Sequence, residues 1–308
     1  MGKVTLHTTS CAICHTEENS TELYPPNFEL EAFNPEVFSA RRLPDRVHYR
    51  MVKCNTCGLV RSDPVADPQS LAKLYESSSF DYGEEVPCLN STYGRYLKKL
   101  EPCNKDSLLE IGCGNGFFLE EALKHGYKQV YGVEPSSSAV AQARPTVQSN
   151  IVCDIMRPGL FQSEQFDAIC IFQVFDHISD PSAMLDECWR VLKPHGQILI
   201  LNHNINAVSS RLLGERSPII DIEHTYLYSP STLANLVQAH HFEVKSNGSV
   251  LNRYSLKYLI RLIPIPRAVK ALLLNSLGSS QMGRLNISVP LGNLFLIASK
   301  GKRNERAI

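Results

Sequence analysis

From Ser107 onward the apolar positions of the chain follow two rhythms in alternation. Short, nearly unbroken apolar runs at Leu108–Ile111, Gln129–Val133, Asn150–Cys153, Phe166–Phe172 and Gln197–Leu201 predict buried strands. Between them, apolar residues at helical spacing predict helices over Phe117–His125, Ser137–Ala143 and Pro181–Leu192. In the last of these, Met184, Leu185, Cys188, Val191 and Leu192 share one face. Strands buried on both sides and separated by helices imply an α/β fold with a doubly wound, mostly parallel sheet. A helix over Ser229–His240 and strands over Phe242–Lys245 and Leu291–Ala298 follow.

The first 65 residues lack these rhythms. They are rich in loop signals (Pro25, Pro26, Pro35, Pro44, Pro64) and hold only short strand-like runs such as Val47–Lys53. Too few apolar residues are present there for an independent core, so a cross-link is expected to hold the segment together. Asp67-Pro68-Gln69 predicts a helix start, with Leu71, Leu74 and Tyr75 at helical spacing. Asn90 predicts a second start, ahead of Tyr93, Tyr96, Leu97 and Leu100. The expected organisation is therefore a small module over 1–65, a helical connection over 66–105 and a main domain over 106–308. Insertions in that domain are expected at about 204–229 and 250–285.

Lys+Arg 31 balances Asp+Glu 31, which argues against a nucleic-acid partner recognised through phosphate neutralisation. The longest apolar runs fall far short of the ~20 residues of a membrane helix. Met1–Cys11 carries no apolar signal region, so a cytoplasmic location is expected.

The densest chemical signal is Glu110-Ile111-Gly112-Cys113-Gly114-Asn115-Gly116, where a predicted strand turns into a predicted helix. Glycines allow the unusual backbone angles of such a turn and the close approach of a ligand, and the helix start offers free N–H donors. Glu134 closes the next strand, where a carboxylate can accept hydrogen bonds from both hydroxyls of a ribose. The position three after Gly114 is Phe117, which departs from the dinucleotide fingerprint of a dehydrogenase, and no Lys-Ser/Thr ending of a P-loop follows.

At these residues the chain resembles the class I S-adenosylmethionine-dependent methyltransferases. The likeness runs through Gly132-Val133-Glu134-Pro135-Ser136, Cys153-Asp154, Phe166–Ile169, Gln173–Pro181 and Leu192–Gly196, in family order. It implies a seven-stranded sheet with one antiparallel strand near an edge, and S-adenosylmethionine as cofactor. The implied cofactor residues are Glu110, Gly112, Cys113, Gly114, Gly116, Glu134, Pro135, Asp154 (near the adenine) and Gln173. Ubiquinone-pathway O-methyltransferases resemble the Gln173, Asp176, His177 stretch but carry an acid at the first position. The neutral Gln173 weakens the case for a hard cation, and no magnesium is expected.

Cys11/Cys14 and Cys54/Cys57 form two CxxC pairs, the spacing of two knuckles that offer zinc four thiolates. A redox dithiol would open a helix in a βαβ unit, which neither pair does. Four thiolates leave no open coordination position, so a structural, zinc-ribbon-like role is expected. The run Val52–Arg61 resembles the zinc-binding front end of bacterial methyltransferases, several of which act in saccharide or secondary-metabolite pathways. The resemblance therefore implies methyl transfer to a small polar metabolite, with a sugar or glycan precursor as one class. The competing readings are a cofactor-binding adapter that does no chemistry and a nucleic-acid methyltransferase. An oxygen or carbon acid needs a base, and imidazole is poised for it. His203, after the fifth predicted strand, and His224, in the insertion Asn204–Ser229, are the candidate bases, and His177, after the fourth strand, is expected to be more architectural. Tyr254–Leu277 mixes apolar residues with Lys257, Arg261, Arg267 and Lys270. It predicts a helical cover over the acceptor pocket, with peripheral membrane contact as the alternative.

Overall fold

The computed structural model describes residues 5–27, 47–67, 85–101, 104–262, 266–277 and 286–302. The helix expected after Asp67 lies outside them. The amino-terminal part contributes five short strands: β1 (Leu6–His7), β2 (Ser20–Tyr24), β3 (Met51–Cys54), β4 (Val60–Ser62) and β5 (Val65–Ala66). Helix α1 spans Val86–Leu97 and starts before the expected cap at Asn90. Pro87 explains the shift, because a first-turn residue needs no N–H. Tyr93, Tyr96 and Leu97 are buried as their spacing predicts, and Tyr93 stacks on Phe172 at 4.1 Å, which seats α1 on the main sheet.

The main domain then follows the expected alternation. In order come β6 (Ser107–Ile111), α2 (Phe117–Lys124), β7 (Gln129–Val133), α3 (Ser137–Ala141) and α4 (Pro145–Gln148). Next are β8 (Ile151–Val152), β9 (Phe166–Phe172), α5 (Pro181–Val191) and β10 (Leu192–His203). The helix expected to run to Ala143 ends at Ala141, because Pro145 cannot continue its hydrogen bonds and restarts the chain as α4. Strand β10 is longer than its apolar core predicts, its ends being held by neighbouring strands rather than by their own hydrophobicity.

After β10 come α6 (Val208–Leu213), β11 (Tyr226–Leu227), α7 (Pro230–Ala239), β12 (Phe242–Ser249) and β13 (Asn252–Ser255). Helices α8 (Leu256–Leu262) and α9 (Arg267–Leu277) and strands β14 (Asn286–Val289) and β15 (Asn293–Lys300) complete the described chain. Ser229 and Thr232 form a reciprocal cap that starts α7. The seven-stranded sheet has the order β12-β15-β10-β9-β6-β7-β8, in which β15 alone runs antiparallel to its neighbours. This is the class I methyltransferase fold.

The amino-terminal strands do not close on themselves. Their four-stranded sheet has the order β11-β4-β3-β2, so its last strand is supplied by the stretch after β10, pairing Tyr226 with Arg61 and Leu227 with Val60. Cys11, Cys54 and Leu59 pack in one core with Phe175, Tyr228 and Ile200. None of the described helices is long and apolar enough to cross a membrane.

Candidate functional site

Strand β6 delivers the glycine turn to the carboxyl edge of the sheet. Gly112, Gly114 and Gly116 all have positive φ, and Gly116 is the left-handed residue that opens α2. A Cβ on Gly112 would stand 2.3 Å from a methyl of Val174, so only glycine fits there. The Gly114 N–H donates to Glu134 Oε2 and the Ser136 N–H to Oε1, both at 2.9 Å. These bonds lock the carboxylate at the end of β7 beneath the turn. Burial raises the Glu134 carboxyl above its ordinary range, although the two N–H groups oppose the shift.

Around this turn three buried oxygens, Glu110 Oε2, Asn115 Oδ1 and Gln173 Oε1, have no hydrogen-bond partner within the chain. Orphaned buried acceptors of this kind call for a donor from outside the protein. Burial and the nearby Glu134 charge push Glu110 well up. Cys113 turns the other way: its sulfur is buried beneath Gly132, and its N–H is held by Val133, so its side chain packs rather than facing a ligand. Asp154 is partly exposed and paired with Arg157 at 2.7 Å, which holds it below the usual carboxylate range.

Beyond Gln173, the chain brings together four groups from three separate stretches of sequence. Asp176 is completely buried and accepts a hydrogen bond from His203 Nδ1 at 2.5 Å. The Asn202 amide donates to the other carboxylate oxygen at 3.2 Å and accepts from the Asp176 N–H. His177 Nε2 lies 3.5 Å from Asp176 Oδ1, and His224 Nε2 lies 3.7 Å from Oδ2. Burial alone would raise the Asp176 carboxyl, but the imidazoles of His203, His224 and His177 hold it well below the carboxylate range.

The histidines divide by environment. His224 is 7% exposed and donates from Nδ1 to the Ile219 carbonyl at 2.9 Å. Burial lowers it to about 3, so it is neutral, with a bare Nε2 facing the others. Burial also lowers His177. His203 is 25% exposed, and its Nδ1 bond to Asp176 leaves Nε2 free. All three sequence-predicted histidines therefore meet at one place. Asp176, which organises them, is legible in the sequence only as a member of the Gln173, Asp176, His177 stretch, with no role expected of it. An acid between Phe175 and His177, just past a predicted strand, was the available signal, but its partners come from 27 and 48 positions away. The donor atoms of Asp176, His177 and His224 all lie within 4.8 Å of one another, so the cluster can share a proton or a divalent ion of imidazole-preferring type.

The four predicted cysteines also converge. Their sulfurs lie within 4.8 Å of one another, and Cys11 and Cys57 approach to 3.4 Å. Zn–S bonds of about 2.3 Å in a tetrahedron would put sulfurs about 3.8 Å apart, so the donor set fits. Burial opposes ionisation of Cys54, but the Cys57 and Thr56 N–H groups of its knuckle and the neighbouring thiols bring it down to about 6. A chain of bonds joins this cluster to the histidines. Thr225 and Tyr226 donate from their backbone to the Asp176 carbonyl, Ser62 Oγ donates to the His224 carbonyl at 2.8 Å, and the Tyr226 hydroxyl donates to the Ser10 carbonyl at 3.0 Å.

Residues 109–200 match the family described as Methyltransferase domain. The chain is 30% identical over 128 residues to the ubiquinone biosynthesis O-methyltransferase of Bradyrhizobium sp. (strain ORS 278), covering 40% of this chain and 50% of that one. It is 26% identical over 133 residues to the enzyme of the same name from Coxiella burnetii (strain Dugway 5J108-111), covering 41% of this chain and 56% of the other. The chain thus spans about half the length of the curated relatives it matches. Among solved structures, a complex of the Haloferax volcanii Trm112 methyltransferase activator with a methyltransferase matches with a TM-score of 0.50 at 19% identity, over 71% of this chain and 93% of that one. At that identity the likeness is one of fold. The matched methyltransferase domain contains the glycine turn, Glu134, Asp176 and His177, whereas the cysteine cluster, His203 and His224 lie outside it.

Proposed function

We propose that the chain is an S-adenosylmethionine-dependent methyltransferase that transfers a methyl group to a hydroxyl of a small polar molecule, with His203 as the base. The observation that carries this reading is the Asp176–His203 pair at the end of β10, beside a glycine turn lined with unpartnered acceptors. The cofactor would supply an electrophilic methyl group on a sulfonium. Gly112, Gly114 and Gly116 leave room for its close approach. Glu134 would hold the ribose, and the orphaned oxygens of Glu110, Asn115 and Gln173 suit an ammonium group. Pro135 and Asp154, beyond β7 and β8, belong to the adenine side.

Asp176 fixes His203 with Nδ1 protonated and Nε2 bare. The free nitrogen can take the acceptor's proton, and the buried anion stabilises the resulting imidazolium. His224 and His177, kept neutral by burial, act as walls that orient His203. A cavity of about 300 Å³ opens past this end of β10, although neither the histidines nor the glycine turn lines it. Ile205 and Asn206, just past His203, line it together with Ser229, Thr232, Lys53 and Arg211, and no acidic side chain does. A sugar or glycan precursor fits such hydroxyl-rich walls. The four cysteines would hold one zinc ion, which cross-links the amino-terminal strands.

Calorimetry with S-adenosylhomocysteine, the demethylated product, tests the cofactor assignment. Micromolar binding is expected, weakened about 10- to 100-fold in Glu134→Ala, the scale of lost hydrogen bonds to a charged acceptor. Binding of NAD in its place would refute the assignment.

A further inference from the structure

Eleven large apolar side chains are exposed among the described residues, and eight of them belong to two stretches, 208–213 and 251–291. Val208 and Leu212 stand out from α6, Leu212 being 81% exposed. On α9, Val269, Leu272 and Leu273 follow i, i+3, i+4 spacing and form one exposed stripe, Leu272 being 70% exposed. Lys270, half-buried, borders the stripe one position on from Val269, with Leu274 and Leu277 on the same, less exposed flank. The stripe is apolar surface that the fold leaves uncovered, while Leu277 on the inner flank is buried.

The stretches meet at one edge of the molecule. Ser209 of α6 sits against Gly292, the Asn252 amide donates to the Leu291 carbonyl at 3.3 Å, and exposed Leu251 and Leu291 flank these contacts. Helix α9 packs on α8, which continues from the β13–β14 ribbon. The same edge carries His203, paired in register with Asn293. Charge separates the occupants this surface could have. Positions 251–291 contain six Lys or Arg and no Asp or Glu, in a chain with a formal net charge of zero. A second copy of the chain would set this cationic region against itself. An anionic lipid surface complements both the leucines and the charge.

We propose that α6 and α9 seat the molecule on an anionic membrane, with Val208, Leu212, Val269, Leu272 and Leu273 entering the interface. The acceptor side of the domain then faces the lipid headgroups. Neither short helix anchors the chain alone, so binding is reversible and sensitive to salt.

The test is co-sedimentation of the full-length chain with vesicles of phosphatidylcholine alone or of phosphatidylcholine with 30 mol% phosphatidylglycerol. Binding to the anionic vesicles only is expected, with at least a tenfold loss in Leu272→Ser/Leu273→Ser and in 0.5 M salt. Lys270→Glu should lose affinity with the leucines intact. Circular dichroism and S-adenosylhomocysteine affinity show whether each variant is folded, and lipid binding is read without turnover, so this test can fail while the methyltransferase reading stands, or the reverse. Absence of sedimentation with either vesicle, or unchanged binding by folded variants, overturns the proposal. A dimer in light scattering that Leu272→Ser/Leu273→Ser dissolves, without lipid binding by the parent chain, would also overturn it and assign the face to self-association.

Discussion

His203 and His224 sit beside the same carboxylate, but the partner of Nδ1 separates their chemistry. In His203 that nitrogen faces Asp176, so gaining a proton at Nε2 creates an ion pair. In His224 it faces a neutral carbonyl in a buried setting, so gaining a proton costs solvation. His203→Ala should therefore lower kcat at least about 100-fold with S-adenosylhomocysteine affinity nearly unchanged, whereas His224→Gln should retain most of the rate. Asp176→Asn should also slow turnover, because the imidazolium formed on His203 loses its counter-charge. A second prediction concerns stability. His224 and His177 are depressed when folded and recover a value near 6.5 when unfolded. Between about pH 6.5 and 3 the unfolded chain thus binds more protons, and stability must fall as pH falls, by at most about 1.4 kcal/mol per pH unit per fully linked group. Asp176, depressed in the fold, adds a loss only below about pH 4, where an unfolded Asp begins to protonate. Urea unfolding at pH 5, 6 and 7 should show stability rising with pH in the parent and a shallower rise in His224→Gln.

At the scale of elements, the turn between β6 and α2 has no tolerance at Gly112. Its φ of +74° and the 2.3 Å approach to Val174 mean that Gly112→Ala must move backbone or Val174. Loss of S-adenosylhomocysteine binding is expected in the calorimeter, with Gly126→Ala, strained but in open space, as the comparison. The turn and the parallel strands were legible in the sequence for a physical reason. Strands buried on both faces, such as β9 with all seven residues buried, must be written as apolar runs. Strand β11 was not legible, since two residues carry no period and Tyr226–Leu227 become a strand only because β4 lies beside them. The β13–β14 ribbon was hidden similarly, its half-exposed strands lacking a clean alternation. The histidine cluster was half legible: strand ends nominated His177 and His203, but nothing local joins Asp176 to His224. That joining is done by the backbone of Thr225 and Tyr226 against the Asp176 carbonyl.

Taken whole, the molecule couples its cysteine cluster to its histidines through a few buried bonds. Removing zinc with a chelator, or Cys54→Ser, should loosen β3 and β4, then β11, and so release Ser62 from the His224 carbonyl. The expected result is one zinc per chain by elemental analysis of the parent, and in Cys54→Ser a fall in kcat larger than the fall in S-adenosylhomocysteine affinity. The glycine turn, seated on β6, β7 and α2, does not depend on that sheet. Unchanged kcat in a zinc-free, folded variant would contradict this coupling. The shared sheet has a further consequence for how such a chain can be cut or inherited. Expressed alone, the amino-terminal segment would leave Val60–Ser62 without β11, exposing unpaired N–H and carbonyl groups along a strand that is buried in the whole chain. Such an open margin recruits other chains. The lone segment is thus expected to aggregate even when loaded with metal, and a transplant between proteins would have to carry the stretch around Tyr226–Leu227 along with it.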